Sequence, residues 1–227
     1  MFWLLLLCHF IADYPLQTDG MVIAKKQFPG LFMHVFIHFV TLLTLLCSIM
    51  KLEITTCVIL ALSLSMFHFG IDHWKNVLSR LRPTWIKFAY IQDQFLHLLS
   101  IFIVSFIYGQ YSLQNTFHIG SLAVFYTLGL LLITHFWFIS ERVFSCKNPD
   151  KLQWVNSSMW PRMMSRGMLY GILFTVNSIS AFVLLLGSIV VAWNDFKPEN
   201  RLSVLAIDLT GTMFLTLTFW LVGQWLL

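Results

Sequence analysis

Residues 52–74 read LEITTCVILALSLSMFHFGIDHW, and after Glu53 no formal charge follows until Asp72. An apolar run of about 20 residues at 1.5 Å rise per residue matches the hydrocarbon core of a bilayer. Inside that core each backbone N–H and C=O has to be bonded within its own segment, so the run predicts a transmembrane α-helix. It closes on His68 and Asp72, four residues apart and therefore on one helix face.

Similar runs predict helices at about Leu31 to Met50 before this one and Tyr90 to Gly109 after it. A shorter apolar helix is expected at Met1 to Tyr14, and further helices at His118 to Phe138, Met168 to Trp193 and Ser203 to Leu227, with a polar loop from Ser140 to Ser165. The predicted fold class is all-α, a polytopic transmembrane bundle of about seven helices. Composition agrees: 58% of the 227 residues are hydrophobic and 11% are charged. Mean hydropathy is +0.78, whereas soluble domains carry about 25% charge. Twenty-two Phe and nine Trp suit lipid-facing surfaces and interfacial belts without any cofactor.

Several alternatives fall away. A formal charge of +4 is too small to indicate nucleic acid. Cys8, Cys47, Cys57 and Cys146 have no C-x-x-C spacing, which predicts neither a disulfide nor a cysteine-based zinc site. The apolar N-terminus lacks a positive flank and a small-residue cleavage site, so it is expected to stay in the mature protein. No repeat or long linker divides the chain. The expectation is one membrane domain, with a four-helix His/Asp unit over residues 1–109 and three further helices over 118–227 packed on it.

Cytoplasmic loops of membrane proteins are enriched in Lys and Arg. The connections after the first, third and fifth expected helices hold eleven: Lys25, Lys26, Lys75, Arg80, Arg82, Lys87, Arg142, Lys147, Lys151, Arg162 and Arg166. The other connections hold three: Lys51, Lys197 and Arg201. This asymmetry places the N-terminus outside and the C-terminus in the cytoplasm, in what is expected to be a bacterial cytoplasmic membrane.

Four expected helices each carry a pair at i and i+4: His9 with Asp13, His34 with His38, His68 with Asp72, and Asp93 with His97. Random placement of the chain's His, Asp and Glu would give roughly one such pair. A fifth, Asp195 with Glu199, falls in a polar loop. With the N-terminus outside, all four helical pairs fall at one depth, near the cytoplasmic ends of their helices, and His135 falls near that level. Ionisable groups inside a membrane are expensive and usually functional. Eight His and Asp ligands without Cys suit two divalent ions, with zinc the first expectation and manganese or ferrous iron also compatible. One of Asp13, Asp72 or Asp93 could serve as a general base. Gln17, Thr18, Asp19 and Gln94 are candidates to orient the ligands, and His73 is a reserve ligand. Lys75, Arg80, Arg82 and Lys87 fit the positive-inside rule better than a phosphate site, and His118, Asp195 and Asp208 receive no role.

The segments HFIADYPLQTDGMVIAKK (9–26), HVFIH (34–38), HFGIDHWK (68–75) and QDQFLH (92–97) resemble, in that order, the bacterial membrane protein family of unknown function number 3307, over about residues 1–105. That resemblance implies a membrane protein with this polar constellation and no particular reaction. The His-x-x-x-Asp pairs are also similar to motifs of inner-membrane metal-dependent hydrolases and helical zinc phospholipases. From this follows the preferred expectation: a metal-dependent hydrolase with a cytoplasm-facing binuclear site, embedded among membrane lipids and acting on a lipid or lipid-linked phosphate. A divalent metal cation transporter and a di-iron membrane oxidase are the alternatives.

Overall fold

The structure is a computed structural model that describes residues 1–50, 52–109, 119–172, 178–195 and 201–226, so Lys51 and His118 lie outside the described residues. Among the described residues there is helix and no strand. Five helical segments are long and apolar enough to cross a membrane: Phe28–Met50, Ile54–Leu81, Pro83–Tyr108, Leu122–Ser145 and Ala206–Gln224. Phe2–Asp13 and Ile179–Val191 are shorter apolar helices. By length and composition this is an integral membrane protein. The chain forms two compact units, Met1–Leu128 and Gly129–Leu227.

The first unit contains α1 (Phe2–Asp13), α2 (Asp19–Ala24), α3 (Phe28–Leu45, continued by a π-helical turn Leu46–Met50), α4 (Ile54–Leu81) and α5 (Ile86–Gly109). It also takes in most of α6 (Ile119–Leu131). Leu4 to Phe10 of α1 are all buried, because α1 packs against α3 and α5 and its Trp3 ring meets Phe125 edge-on at 5.0 Å. A helix apolar on every side has to be enclosed. The surrounding helices are built the opposite way. On α3 the buried stripe is Leu31, His34, His38 and Leu42, while Phe28, Phe32, Phe36 and Val40 are exposed. On α5 it is Ala89, Asp93, His97, Ile101 and Val104, with Phe95, Phe102 and Phe106 exposed. Imidazoles and carboxylates inside, phenyl rings outside, is the arrangement that lipid as solvent selects.

The connection between α1 and α3 is also structured. Thr18 Oγ1 caps α2 by accepting from Met21 N at 3.3 Å. Gln27 and Pro29 open α3, where proline's missing N–H has no helical partner to lose. Gly30 allows α2 to approach, since a Cβ there would collide with the Ala24 backbone.

The second unit contains the end of α6, a π-helical turn Leu132–Phe136, α7 (Trp137–Ser145), α8 (Pro149–Ser157), α9 (Met159–Gly171), α10 (Ser178–Asp195) and α11 (Arg201–Leu226). Two sequence expectations are corrected here. Met168 to Trp193 is not one helix: α9 ends at Gly171, and α10 runs back along it. Ser165 Oγ donates to the Ser188 carbonyl at 2.9 Å, Met168 abuts Gly187, and Leu184 abuts Gly171. The expected polar loop 140–165 is largely helical, holding the end of α7, α8 and the start of α9.

The same hairpin reassigns charges. Arg162 and Arg166 are buried, not loop residues, and both reach Asp208 of α11 at 2.7 Å and Glu141 of α7 at 2.8 and 3.3 Å. The end of α7, the start of α9 and the first turns of α11 therefore share one level. A single pass over 168–193 would have set Asp208 at the opposite end from Arg162. The expectation of a cytoplasmic C-terminus depended on that single pass.

Candidate metal centre

Each i, i+4 pair lies on the buried stripe of its helix, so the four stripes meet in one cluster. His9, Asp13, His34, His38, His68, Asp72, Asp93 and His97 are between 0% and 7% exposed. Asp13 is the hub. Its Oδ1 lies 3.0 Å from His38 Nε2, 3.1 Å from His34 Nε2 and 3.8 Å from His68 Nε2, and its Oδ2 lies 3.3 Å from His9 Nε2. Asp72 Oδ2 is 3.4 Å from His34 Nε2 and 3.6 Å from His68 Nε2, and Asp93 Oδ1 is 3.4 Å from His97 Nε2. The rings of His38, His68 and His97 stack, with centroids 3.6 and 4.2 Å apart.

The spacings bear on a metal ion. N–H···O hydrogen bonds run from about 2.7 to 3.2 Å, whereas ligand atoms around a tetrahedral ion with bonds near 2.05 Å stand about 3.4 Å from one another. The His9–Asp13, His34–Asp72, His68–Asp72 and His97–Asp93 separations of 3.3 to 3.6 Å fit the second geometry better than the first. Three ligand groups have their atoms within 4.8 Å of one another: His9, Asp13, His38 and His68; His34, His68 and Asp72; Asp72, Asp93 and His97. His68 and Asp72 each belong to two groups, as residues shared between adjacent ions would. Asp93 Oδ1 and His97 Nε2 are buried without a hydrogen-bond partner, and so is His34 Nδ1. Buried polar atoms are nearly always partnered, and a carboxylate oxygen facing an imidazole nitrogen offers two lone pairs to a cation.

Two lysines complete the cluster, and the sequence reading assigned neither to it. Lys25 Nζ contacts Asp72 Oδ2 at 3.1 Å, and Lys75 Nζ contacts Asp72 Oδ1 at 3.0 Å and Asp93 Oδ2 at 2.8 Å. Lys25 is buried. Its backbone carbonyl accepts from Asn76 Nδ2 at 2.8 Å, and Arg80 donates to the Lys26 carbonyl, so the end of α4 holds this connection in place. Lys75 was legible in principle, since it stands three residues after Asp72 on the same face. Lys25 follows α2 and carries no periodic signal.

The expected orienting residues divide. Gln94 Nε2 donates to Asp93 Oδ2 at 3.1 Å, and Gln94 Oε1 accepts from Tyr14 OH at 3.0 Å, which ties α1 to α5 beside the cluster. Gln17 bonds only the Asp13 carbonyl, at 2.9 Å, and Thr18 is a helix cap. His73 is exposed and stacks on Phe69, outside the ligand groups. His135 belongs to the second unit, where its Nδ1 lies 2.9 Å from Thr134 Oγ1. A pocket opens on the side of the imidazoles away from the lysines, lined by Leu5, Leu42, Leu64 and Ile101 together with His9, His38, His68 and His97.

No curated protein and no solved structure matches the chain. Residues 1–126, more than half of the chain and containing all eight clustered His and Asp residues, match the family described as Protein of unknown function (DUF3307). The chain belongs to that family.

Proposed function

We propose that the protein is a membrane-embedded, metal-dependent hydrolase of a lipid or lipid-linked phosphate. Its site is held by His9, Asp13, His34, His38, His68, Asp72, Asp93 and His97, with zinc the first candidate and manganese or iron compatible with the same ligands. The observation that carries this reading is two ammonium groups set directly against the ligand carboxylates. Fixed positive charge set against the ligand carboxylates would repel a passing divalent cation, which weighs against a transporter. A site for an anionic substrate is helped by the same charge. Bound there, divalent ions would lower the pKa of water and neutralise charge on phosphoryl oxygens. Asp93, whose Oδ1 faces His97 Nε2 at 3.4 Å while Lys75 and Gln94 hold its Oδ2, would accept the proton.

For orientation, the reading sets the N-terminus outside and Lys26, Arg80, Arg82 and Lys87 at the cytoplasmic face of a bacterial inner membrane, following the charge asymmetry of the first unit. The α9–α10 hairpin adds a pass to the expected seven and carries the C-terminus to the outer side.

The test is elemental analysis of purified protein beside lipid-phosphate turnover. Wild type is expected to carry one to two transition-metal ions per chain, Asp72→Asn to lose most of them, and Asp93→Asn to stay folded while turnover falls at least a hundredfold. Metal-free wild type, or zinc flux through liposomes with no phosphate released from any phospholipid or prenyl phosphate, would refute the reading.

A further inference from the structure

The charge of the cluster selects among phosphates. Asp13, Asp72 and Asp93 carry three negative charges, and Lys25 and Lys75 carry two positive ones within 3.1 Å of the carboxylate oxygens. Before any ion enters, the cluster stands one charge below neutrality. Two divalent ions would leave it three charges above, with the three carboxylates and Lys25 buried and Lys75 partly exposed. Buried net charge of that size is not tolerated without a counterion. A phosphodiester, with a single negative charge, removes one third of the excess. A terminal phosphate, a dianion above pH 7, removes two thirds and has three oxygens to share between ions and ammoniums.

Geometry agrees with charge. Lys25 arrives from the connection after α2 and Lys75 from α4, and they meet at Asp72 from two sides, its Oδ2 and its Oδ1. Once ions take those oxygens, Lys25 gives up its Asp72 contact and Lys75 keeps Asp93 Oδ2 at 2.8 Å, so both ammoniums have N–H donors to offer an anion.

We infer that Lys25 and Lys75 form the subsite for a terminal phosphate group, so that the substrate is a phosphomonoester and not a phosphodiester. This rests on the metal-dependent reading for its charge count but is measured without turnover. Hydrolysis of such an ester breaks its bridging bond: water adds oxygen to phosphorus, the alkoxide leaves with a proton, and inorganic phosphate remains on the lysines.

The experiment is calorimetric titration of wild-type protein, with metal content determined on the same sample. The probes are dihexanoyl phosphatidic acid, dihexanoyl phosphatidylglycerol and inorganic phosphate, at pH 8. Phosphatidic acid is expected to bind at least tenfold tighter than phosphatidylglycerol. Phosphatidic acid at least tenfold tighter than inorganic phosphate identifies a lipid source, and equal affinity identifies free phosphate or a water-soluble ester. Lys75→Ala should weaken both monoester and phosphate binding at least tenfold while retaining metal. Lys25→Gln, which keeps hydrogen-bonding capacity, should do the same if Lys75→Ala does not fold. Equal affinity for the diester, or loss of metal together with the lysine in folded protein, overturns the inference. Metal-loaded wild type that binds neither phosphate overturns it and leaves the metal reading standing. Metal-free wild type that still prefers phosphatidic acid does the converse.

Discussion

Asp208→Asn should destabilise the second unit by about 3–5 kcal/mol, the cost of breaking a buried ion pair from one side. The structure gives the reason. Asp208 Oδ2 accepts from Arg162 Nε at 2.7 Å, and Asp208 Oδ1 accepts from Arg162 Nη2 and Arg166 Nη2, each at 2.7 Å. All three side chains are 3% exposed or less, so water cannot replace the carboxylate. Charge-assisted bonds are worth about 1.5–3 kcal/mol each. Their sum overshoots, because Glu141, 26% exposed, would take up part of the released guanidinium charge. Asparagine keeps the shape and one acceptor, so the loss reports the uncompensated charge of Arg162 and Arg166. Reversible unfolding by SDS in mixed micelles, followed by Trp fluorescence, measures it. A triple variant, Asp208→Leu with Arg162→Met and Arg166→Met, removes the charges together and should lose less than the single variant. Asp208→Asn within about 1 kcal/mol of wild type, or a triple variant worse than the single one, would refute this account of the network.

Gly30→Ala should displace α2 and with it Lys25, because the new methyl group meets the Ala24 backbone, which has no rotamer to yield. The expected result is a loss of about 2 kcal/mol of stability, within the range for overpacking, and faster trypsin cleavage after Lys25 or Lys26 in inside-out vesicles. A reporter active only outside the cytoplasm, fused after Leu227, should be active, and a single cysteine placed at Arg80 should react with impermeant thiol reagents only once the inner face is opened. An inactive C-terminal fusion would remove the extra pass assigned to the α9–α10 hairpin.

The first unit was legible because two periodic signals coincide on the same residues. Hydropathy located α3, α4 and α5, with expected starts at Leu31, Leu52 and Tyr90 against observed starts at Phe28, Ile54 and Ile86. The i, i+4 pairs then fixed which face of each helix turns inward. The two lysines were hidden by a confounding rule: a lysine at the cytoplasmic end of a membrane helix needs no further explanation, so charge asymmetry absorbed Lys25 and Lys75. In the second unit hydropathy misled. An apolar stretch from Met168 to Trp193 reads as one span when only mean hydropathy is followed, whereas α9 ends at Gly171 and α10 begins at Ser178. Arg162 and Arg166 are themselves an i, i+4 pair, but a guanidinium has no lone pair for a metal, so their spacing carries no ligand signal.

Low dielectric treats the two buried clusters by the same rules, and their difference separates structure from function. In the second unit two guanidiniums meet two carboxylates, so the charges cancel, and the Arg162 and Asp208 contacts of 2.7 to 2.8 Å are ordinary strong hydrogen bonds. Arg166 Nε there lacks a partner, but it is a donor and has nothing to give a cation. In the first unit three carboxylates face two ammoniums, several His–Asp separations are 3.3 to 3.6 Å, and the unpartnered atoms Asp93 Oδ1 and His97 Nε2 can both donate electron pairs. A balanced cluster with short contacts is complete as it stands and ties helices together. An unbalanced one with ligand-length gaps and facing lone pairs is open to cations; one divalent ion takes it from one charge below neutrality to one above and two take it to three above, and a cluster that overshoots has reason to take up an anion as well.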